Sequence, residues 1–361
     1  MADLDNRYDE EDRIEILRAR RLKREKERKK RLIKRTVLFA AAAVAIALIV
    51  FGTTALLSSN NGGSKEEKVK LVQIKTEGIK HLSFAKLSIN GSVGVMSVEE
   101  FKEALQNLYN DGYCLVDIYD IAEKDENGNM IYNEEIDFPE NKKPLILSER
   151  NVSYPSDARE AGVVDKMVLD GDDILCQYTD ATGQIHTGDY DIVPIVESFI
   201  EEHPDFSYNG ARGILSVSGS DGVLGYRTAD SVQESQSAQK VAEALKKKGW
   251  RFASCGYDQD ISYGSEYSIF EDDVNKWKEN VGSIVGSSDI IIFPKQTDIG
   301  SWRHYSDDNR KYALLKEQGF SYYFINDKTA PYMIQSDDAY FRQTIYEIDS
   351  NADLAGIDGS N

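Results

Sequence analysis

Three short stretches of the chain carry side chains that could bind or transform a ligand. KKPLILSERNVSYP, residues 142–155, is an apolar run ending in a polar turn with Arg150, Asn151 and Tyr154. ASCGYDQD, residues 253–260, places Cys255, Tyr257 and Gln259 directly after another apolar run. DIGSWRHYSDD, residues 298–308, gathers Asp298, Trp302 and His304. A cysteine reacts or binds metal as its thiolate, which needs a base or cation beside it. No His is near Cys255 in sequence, so it reads either as a small buried residue or as a ligand. Asp298, Trp302 and His304 form a solvent loop or, if that loop caps a barrel strand, a set of sugar contacts or metal ligands. Tyr154 and Tyr257 are packing residues or aromatic faces for sugar C–H groups.

The elements that must position these residues follow from periodicity. MSVEEFKEALQNLYNDGY opens with Ser97-x-x-Glu100, a capping box, and continues with Phe101, Leu105 and Leu108 on one face. That is an amphipathic helix stopped at Asp111-Gly112, and YCLVDI after it is a buried strand. AEKDENGNMIYNEEIDFPENKK reads as an acidic loop leading into the strand PLILS, residues 144–148. Residues 166–190 alternate short runs with Asp170-Gly171 and Thr182-Gly183 turns, the pattern of an inserted β-meander. Strands at 213–219, 250–256, 289–294 and 321–325 then alternate with helices at 234–248, around 274–284 and near 307–318. Apolar strands without a polar face, separated by amphipathic helices, imply parallel strands covered by helices. The fold class expected is α/β, one domain over residues 71–361, with the meander as an insert.

The 361 residues carry a formal net charge of −19. Residues 1–35 nevertheless hold 14 Lys and Arg against 9 Asp and Glu, so acidity is concentrated in the rest. Residues 36–57, TVLFAAAAVAIALIVFGTTALL, contain no charged side chain. At about 1.5 Å per residue such a helix crosses a hydrocarbon core of about 30 Å, and the basic flank before it keeps the N-terminus in the cytoplasm. The expected organisation is a basic cytoplasmic segment (1–35), one transmembrane helix (36–57), a polar linker (58–70) and an extracytoplasmic domain (71–361). A cleaved signal peptide is the competing reading. Nucleic acid is excluded as a partner of the acidic domain, which lacks basic clusters. Three cysteines, Cys114, Cys176 and Cys255, at wide spacings give neither a disulfide framework nor a zinc knuckle. Asn90 and Asn151 head glycosylation sequons.

The order of LYNDGYCLVDI, KKPLILSERN and GWRFAS resembles the polysaccharide deacetylases of the NodB-homology type over roughly residues 95–345. The resemblance implies an irregular (β/α) barrel. It also implies a site in which Thr-Phe-Asp-Asp-Gly supplies a base and a metal ligand, and His-x-x-x-His completes the zinc shell. In this sequence the two Asp positions fall on Arg150 and Asn151, and the two His positions on Cys255 and Gln259. An Arg-x-Pro-x-Gly motif falls on IFPKQ, where Pro294 remains and Ile292 and Gln296 replace the Arg and Gly. Zinc-assisted hydrolysis needs a metal-bound water of lowered pKa and a carboxylate to take its proton. A cation in the base position opposes both.

The resemblance therefore implies an envelope protein that has lost metal and base, needs no cofactor, and binds a cell-surface glycan or an envelope protein. Two alternatives accompany it. One is an active deacetylase of N-acetylated surface polysaccharide that holds zinc through Cys255 with Asp258 or His304. The other is a structural envelope subunit.

Overall fold

Runs such as PLILS and DIIIFP have no polar face to turn towards water, and each becomes a strand covered on both sides. The protein is described here from a computed structural model over residues 69–354, except 93, 156–161, 260, 262 and 295–296. The apolar run at 36–57, its basic flank and the linker to residue 68 lie outside the described residues, as does Gln296. Among the described residues no helix is long and apolar enough to cross a membrane.

The strands in chain order are β1 (Leu71–Lys75), β2 (Lys80–Phe84), β3 (Tyr113–Leu115), β4 (Ala122–Lys124), β5 (Met130–Tyr132) and β6 (Glu135–Pro139). They continue with β7 (Lys143–Glu149), β8 (Lys166–Asp170), β9 (Asp173–Thr179), β10 (Ile185–Gly188) and β11 (Ile214–Val217). The last are β12 (Arg251–Ser254), β13 (Ile290–Ile292), β14 (Tyr322–Asn326), β15 (Ile334–Asp337) and β16 (Tyr340–Ile348). Seven of them pair in parallel in the order β11-β12-β13-β14-β16-β2-β7, and β7 pairs back onto β11 through Ile214 opposite Ser148. The sheet is thus a closed parallel barrel, as expected of the α/β reading, with β3 added beside β7 and β15 antiparallel beside β16.

Side chains alternate between two cores, as the two-residue period of a strand requires. Ile146, Ile214, Ala253, Ile290, Tyr322, Phe324 and Ile345 form an inner cluster. Their strand neighbours Leu145, Leu147, Leu215, Phe252, Ile291 and Tyr323 pack outward with Val241, Leu245 and Val274 of the covering helices. The helix Val98–Asn110 begins with the anticipated capping box: Ser97 Oγ accepts from Glu100 N, and Ser97 N donates to Glu100. Strands β8, β9 and β10 are the antiparallel meander of the insert.

One expectation is corrected. Residues 122–139 are not a loop: β4 pairs with β5, and β6 pairs with β1, because Met130 and Phe138 have an apolar place to go. They join Ile118 and Ile121 against the N-terminal mouth of the barrel, where Tyr322 donates its hydroxyl to Ala122 O at 2.8 Å. The helix expected around 274–284 is present and runs from Tyr267–Lys276 through a π turn at Trp277–Val281 into Gly282–Val285.

Candidate functional site

Because the barrel strands are parallel, all their C-terminal ends open on one side, and residues just beyond them meet there. Arg150 and Asn151 follow β7, Ser216 and Ser218 belong to the end of β11, Cys255 and Gln259 follow β12, and Glu347 lies near the end of β16. A cavity of about 190 Å³ is lined by Arg150, Asn151, Ser216, Cys255, Gln259 and Glu347, with Ile292, Phe293 and Pro294 as its apolar wall. The four motif positions singled out in the sequence are thus one constellation.

Asn151 has φ of 54°, a left-handed conformation that Asn tolerates better than most residues. This turn directs its amide across the barrel mouth, where Nδ2 donates to Gln259 Oε1 at 2.5 Å. Its Oδ1 accepts from Ser218 Oγ at 2.8 Å, and its backbone N–H donates to Ser216 Oγ at 3.0 Å. Asn151 is only 7% exposed, so the sequon it heads is not presented to solvent.

Arg150 is neutralised by carboxylates. Its Nη1 lies 3.2 Å from Glu347 Oε2, and its Nη2 pairs with Asp349. Backbone N–H of Arg150 donates to Phe84 O at 2.8 Å, which ties the end of β7 to the end of β2.

Cys255 is buried, and loss of hydration pushes its thiol up to about 12, so it is protonated at neutral pH. The turn after it depends on Gly256, whose φ is +85° and whose missing Cβ would meet Asp273 Oδ2 at 2.9 Å. That approach lets Asp273 accept from the N–H groups of Tyr257 at 3.1 Å and Asp258 at 2.8 Å, fixing the segment that presents Gln259.

This donor set does not fit a zinc ion. The two amides are bonded to each other, a guanidinium stands beside them, and the one soft donor is a single thiol. Among the described residues no group of three or more His, Cys, Asp and Glu side chains is gathered as a metal centre requires.

The loop with Asp298, Trp302 and His304 is built for another purpose. Arg342, a fully buried cation on β16, pairs with Asp298 and stacks on Trp302 at 4.1 Å and Tyr305 at 4.3 Å. Asp298 also accepts from Trp302 N at 2.6 Å and Tyr305 Oη at 2.5 Å, while His304 Nδ1 shares a hydrogen bond with Tyr340 Oη at 3.2 Å. Ser301 and Trp302 both have positive φ, 49° and 59°, held by this clasp. The expected glycan or metal contacts at Asp298, Trp302 and His304 are replaced by internal ones for Asp298 and Trp302. Neither His304 nor Asp258, the other donor of that alternative, lines the cavity at Cys255.

Tyr154 also departs from its expected role as a glycan contact. It is 0% exposed, and its hydroxyl lies 3.4 Å from Glu149 Oε1. Tyr257 is half-buried and stays at the surface of the same end of the barrel. Tyr263, Tyr322 and Tyr323 are core residues.

One feature beside the site had no sequence signal beyond a single acid in an apolar strand. Glu149, immediately before Arg150, is fully buried beside Asp191, and neither Glu149 Oε2 nor Asp191 Oδ2 has a hydrogen-bond partner among the described residues. Burial, and then the charge of Asp191, raises Glu149 well above the carboxylate range; burial raises Asp191 as well. Asp191 Oδ1 accepts from Leu87 N at 3.1 Å, so the pair joins β7 to the loop after β2 and to the start of the helix Ile192–Glu202. Lys86 stands near both acids, and burial lowers its pKa.

No protein-family model and no curated protein matches the chain. Among solved structures it is similar to a Streptococcus pyogenes deacetylase, PplD, in complex with acetate, at 12% identity and a TM-score of 0.42, over 80% of this chain and 98% of that one. It is similar to a polysaccharide deacetylase from Bacillus cereus at 10% identity and a TM-score of 0.42, over 80% and 69% of the two chains. A de-N-acetylase from Aggregatibacter actinomycetemcomitans gives 10% identity and a TM-score of 0.41, over 75% and 94%.

Proposed function

We propose that the protein is a membrane-anchored, extracytoplasmic module of the polysaccharide deacetylase type that binds a cell-surface glycan and does not hydrolyse it. The observation carrying this reading is the Asn151–Gln259 amide bond beside a neutralised Arg150, at positions where the resemblance implies a base and metal ligands. Hydrolysis of an N-acetyl group needs a carboxylate able to take a proton from water and an electrophile on the acetyl oxygen. Arg150 cannot serve as a base, and Glu347 is already engaged with its guanidinium. What the barrel mouth keeps are neutral amides, hydroxyls and an apolar wall, groups suited to holding sugar hydroxyls.

Anchoring rests on the uncharged residues 36–57 and the basic flank before them. The test is acetate release from an N-acetylglucosamine tetramer by the full-length protein in detergent with added zinc. The reading expects none above buffer, together with retention of the protein in membranes after an alkaline carbonate wash. Zinc-dependent acetate release abolished by Cys255→Ala would replace it with the active-enzyme reading.

A further inference from the structure

A second hollow lies one step from the barrel mouth. Ser218, which holds Asn151, is followed by the loop 219–230, and Tyr257 lies two residues before Gln259. Between that loop, the start of the helix Val232–Lys248 and the segment 277–284 run two adjoining recesses of about 190 and 250 Å³. Both are lined by Gly219, Thr228 and Ala229, so they form one trough. Tyr257 closes its inner end.

The trough has a fixed architecture. A Cβ on Gly219 would meet the Tyr257 ring at 2.5 Å, so only glycine lets the ring approach the loop this closely. Tyr257 O accepts from Gly219 N at 2.8 Å and Ser220 N at 2.9 Å, while its own N–H is held by Asp273. The opposite wall is the π turn Trp277–Val281, anchored by Trp277 Nε1 donating to Val217 O at 2.7 Å. Single π turns inside helices are frequent at functional sites, and this one carries Glu279 and Asn280 to the trough.

The chemistry of the lining is that of an oriented acceptor set. Gln239 Nε2 donates to Ser283 O at 3.2 Å, and Asn280 Nδ2 donates to Lys276 O at 2.9 Å. Each amide is thereby pinned through its NH2 group, leaving Gln239 Oε1 and Asn280 Oδ1 without a protein donor among the described residues. The hydroxyls of Thr228 and Tyr257 likewise have no hydrogen-bond partner among the described residues. Arg227, which also lines the trough, donates to the carbonyl oxygens of Asp221 and Tyr154. Carboxylates of Asp221, Asp230 and Glu279 disfavour an anionic ligand.

We infer that this trough binds an uncharged, hydroxyl-rich saccharide chain through the Gln239 and Asn280 carbonyls, with Tyr257 at its inner end. The inference rests on the glycan-binding reading above and assigns the contact surface outside the barrel cavity.

The test is calorimetric titration of the full-length protein in detergent with an N-acetylglucosamine tetramer, and with a galacturonate tetramer as the anionic counterpart. The expected result is binding of the first and not the second, with Kd raised at least about tenfold in the double variant Gln239→Ala, Asn280→Ala. Both residues reach the surface, so thermal melting of the double variant should match that of the parent. Undiminished binding by the double variant, with loss of binding in Asn151→Ala, would move the saccharide into the barrel cavity; the trough inference would fall and the glycan reading would stand. Equal binding of galacturonate would overturn the inference. Failure of the parent protein to bind the neutral tetramer would overturn both.

Discussion

Asn151 Nδ2 and Gln259 Oε1 meet at 2.5 Å across the barrel mouth, joining the end of β7 to the end of β12 at two positions where a metal site would need free donors. The bond is partly buried, and it occupies Gln259 Oε1, the atom a metal would take.

Removing one partner strands the other. Asn151→Ala leaves Ser218 Oγ and Gln259 without their acceptor and donor, and should destabilise the protein by about 1–3 kcal/mol. In a double-mutant cycle with Gln259→Ala, urea unfolding should return a coupling of about 1 kcal/mol. Additive losses would mean that the two amides do not interact.

Arg150→Ala removes the cation from Glu347, which is 7% exposed. Removing one partner of a buried ion pair costs about 3 kcal/mol, whereas Arg150→Lys retains the charge and should cost less. The midpoint of urea unfolding for the two variants checks the order; a more stable Arg150→Ala would contradict the ion-pair account.

The burial of Glu149 and Asp191 beside each other gives the fold a pH dependence of definite sign. Both folded-state pKa values are raised above those of an unfolded chain. Their contribution is therefore fully present below the ordinary carboxyl pKa and is lost as pH rises through the folded-state values. Within that window one such group makes stability fall by up to about 1.4 kcal/mol per pH unit. Glu149→Gln cannot lose a proton and should flatten this component of the curve. Identical curves for parent and variant would show that the pKa of Glu149 is not raised by folding.

Burial protects the thiols. Cys114, Cys176 and Cys255 are all buried and uncrosslinked, and burial raises the pKa of each. Native protein at pH 8 should resist iodoacetamide, and urea-unfolded protein should be alkylated at all three sites. Rapid labelling of native Cys255 would reveal an activated thiol.

How far the sequence carries can be read from individual strands. PLILS and DIIIFP hold runs of consecutive apolar residues, GILSVSG interrupts its run only with small serines, and each is a barrel strand. KHLSF and YFRQTIYEI are barrel strands too, yet their periodicity is obscured by polar residues that the interior satisfies. His81 is fully buried, its pKa is pushed down to about 3 by burial, and its Nε2 lies 3.0 Å from Ser148 Oγ. Gln343 Nε2 donates to Ile79 O at 2.8 Å, and Thr344 Oγ1 donates to Ala330 O at 2.7 Å. Partners so distant in sequence leave no local pattern.

The site divides in the same way. Arg150, Asn151, Cys255 and Gln259 were legible through the resemblance whose motif positions they occupy, and parallel strands bring such positions together. The diversion of Asp298 and Trp302 was not legible, because Arg342, which gathers them, lies 40 residues beyond Trp302. The burial of Tyr154 depends on Glu149 and Asp191, which meet only through the barrel and its covering helix.

The central claim is that the barrel mouth is a polar cluster tied by the Asn151–Gln259 bond and the Arg150 ion pairs, and not a metal centre. Elemental analysis of the full-length protein, purified without chelator and dialysed against zinc, tests it most directly. The account predicts zinc at background level in the parent protein and in Cys255→Ala alike. About one zinc per chain, lost in Cys255→Ala, would contradict it.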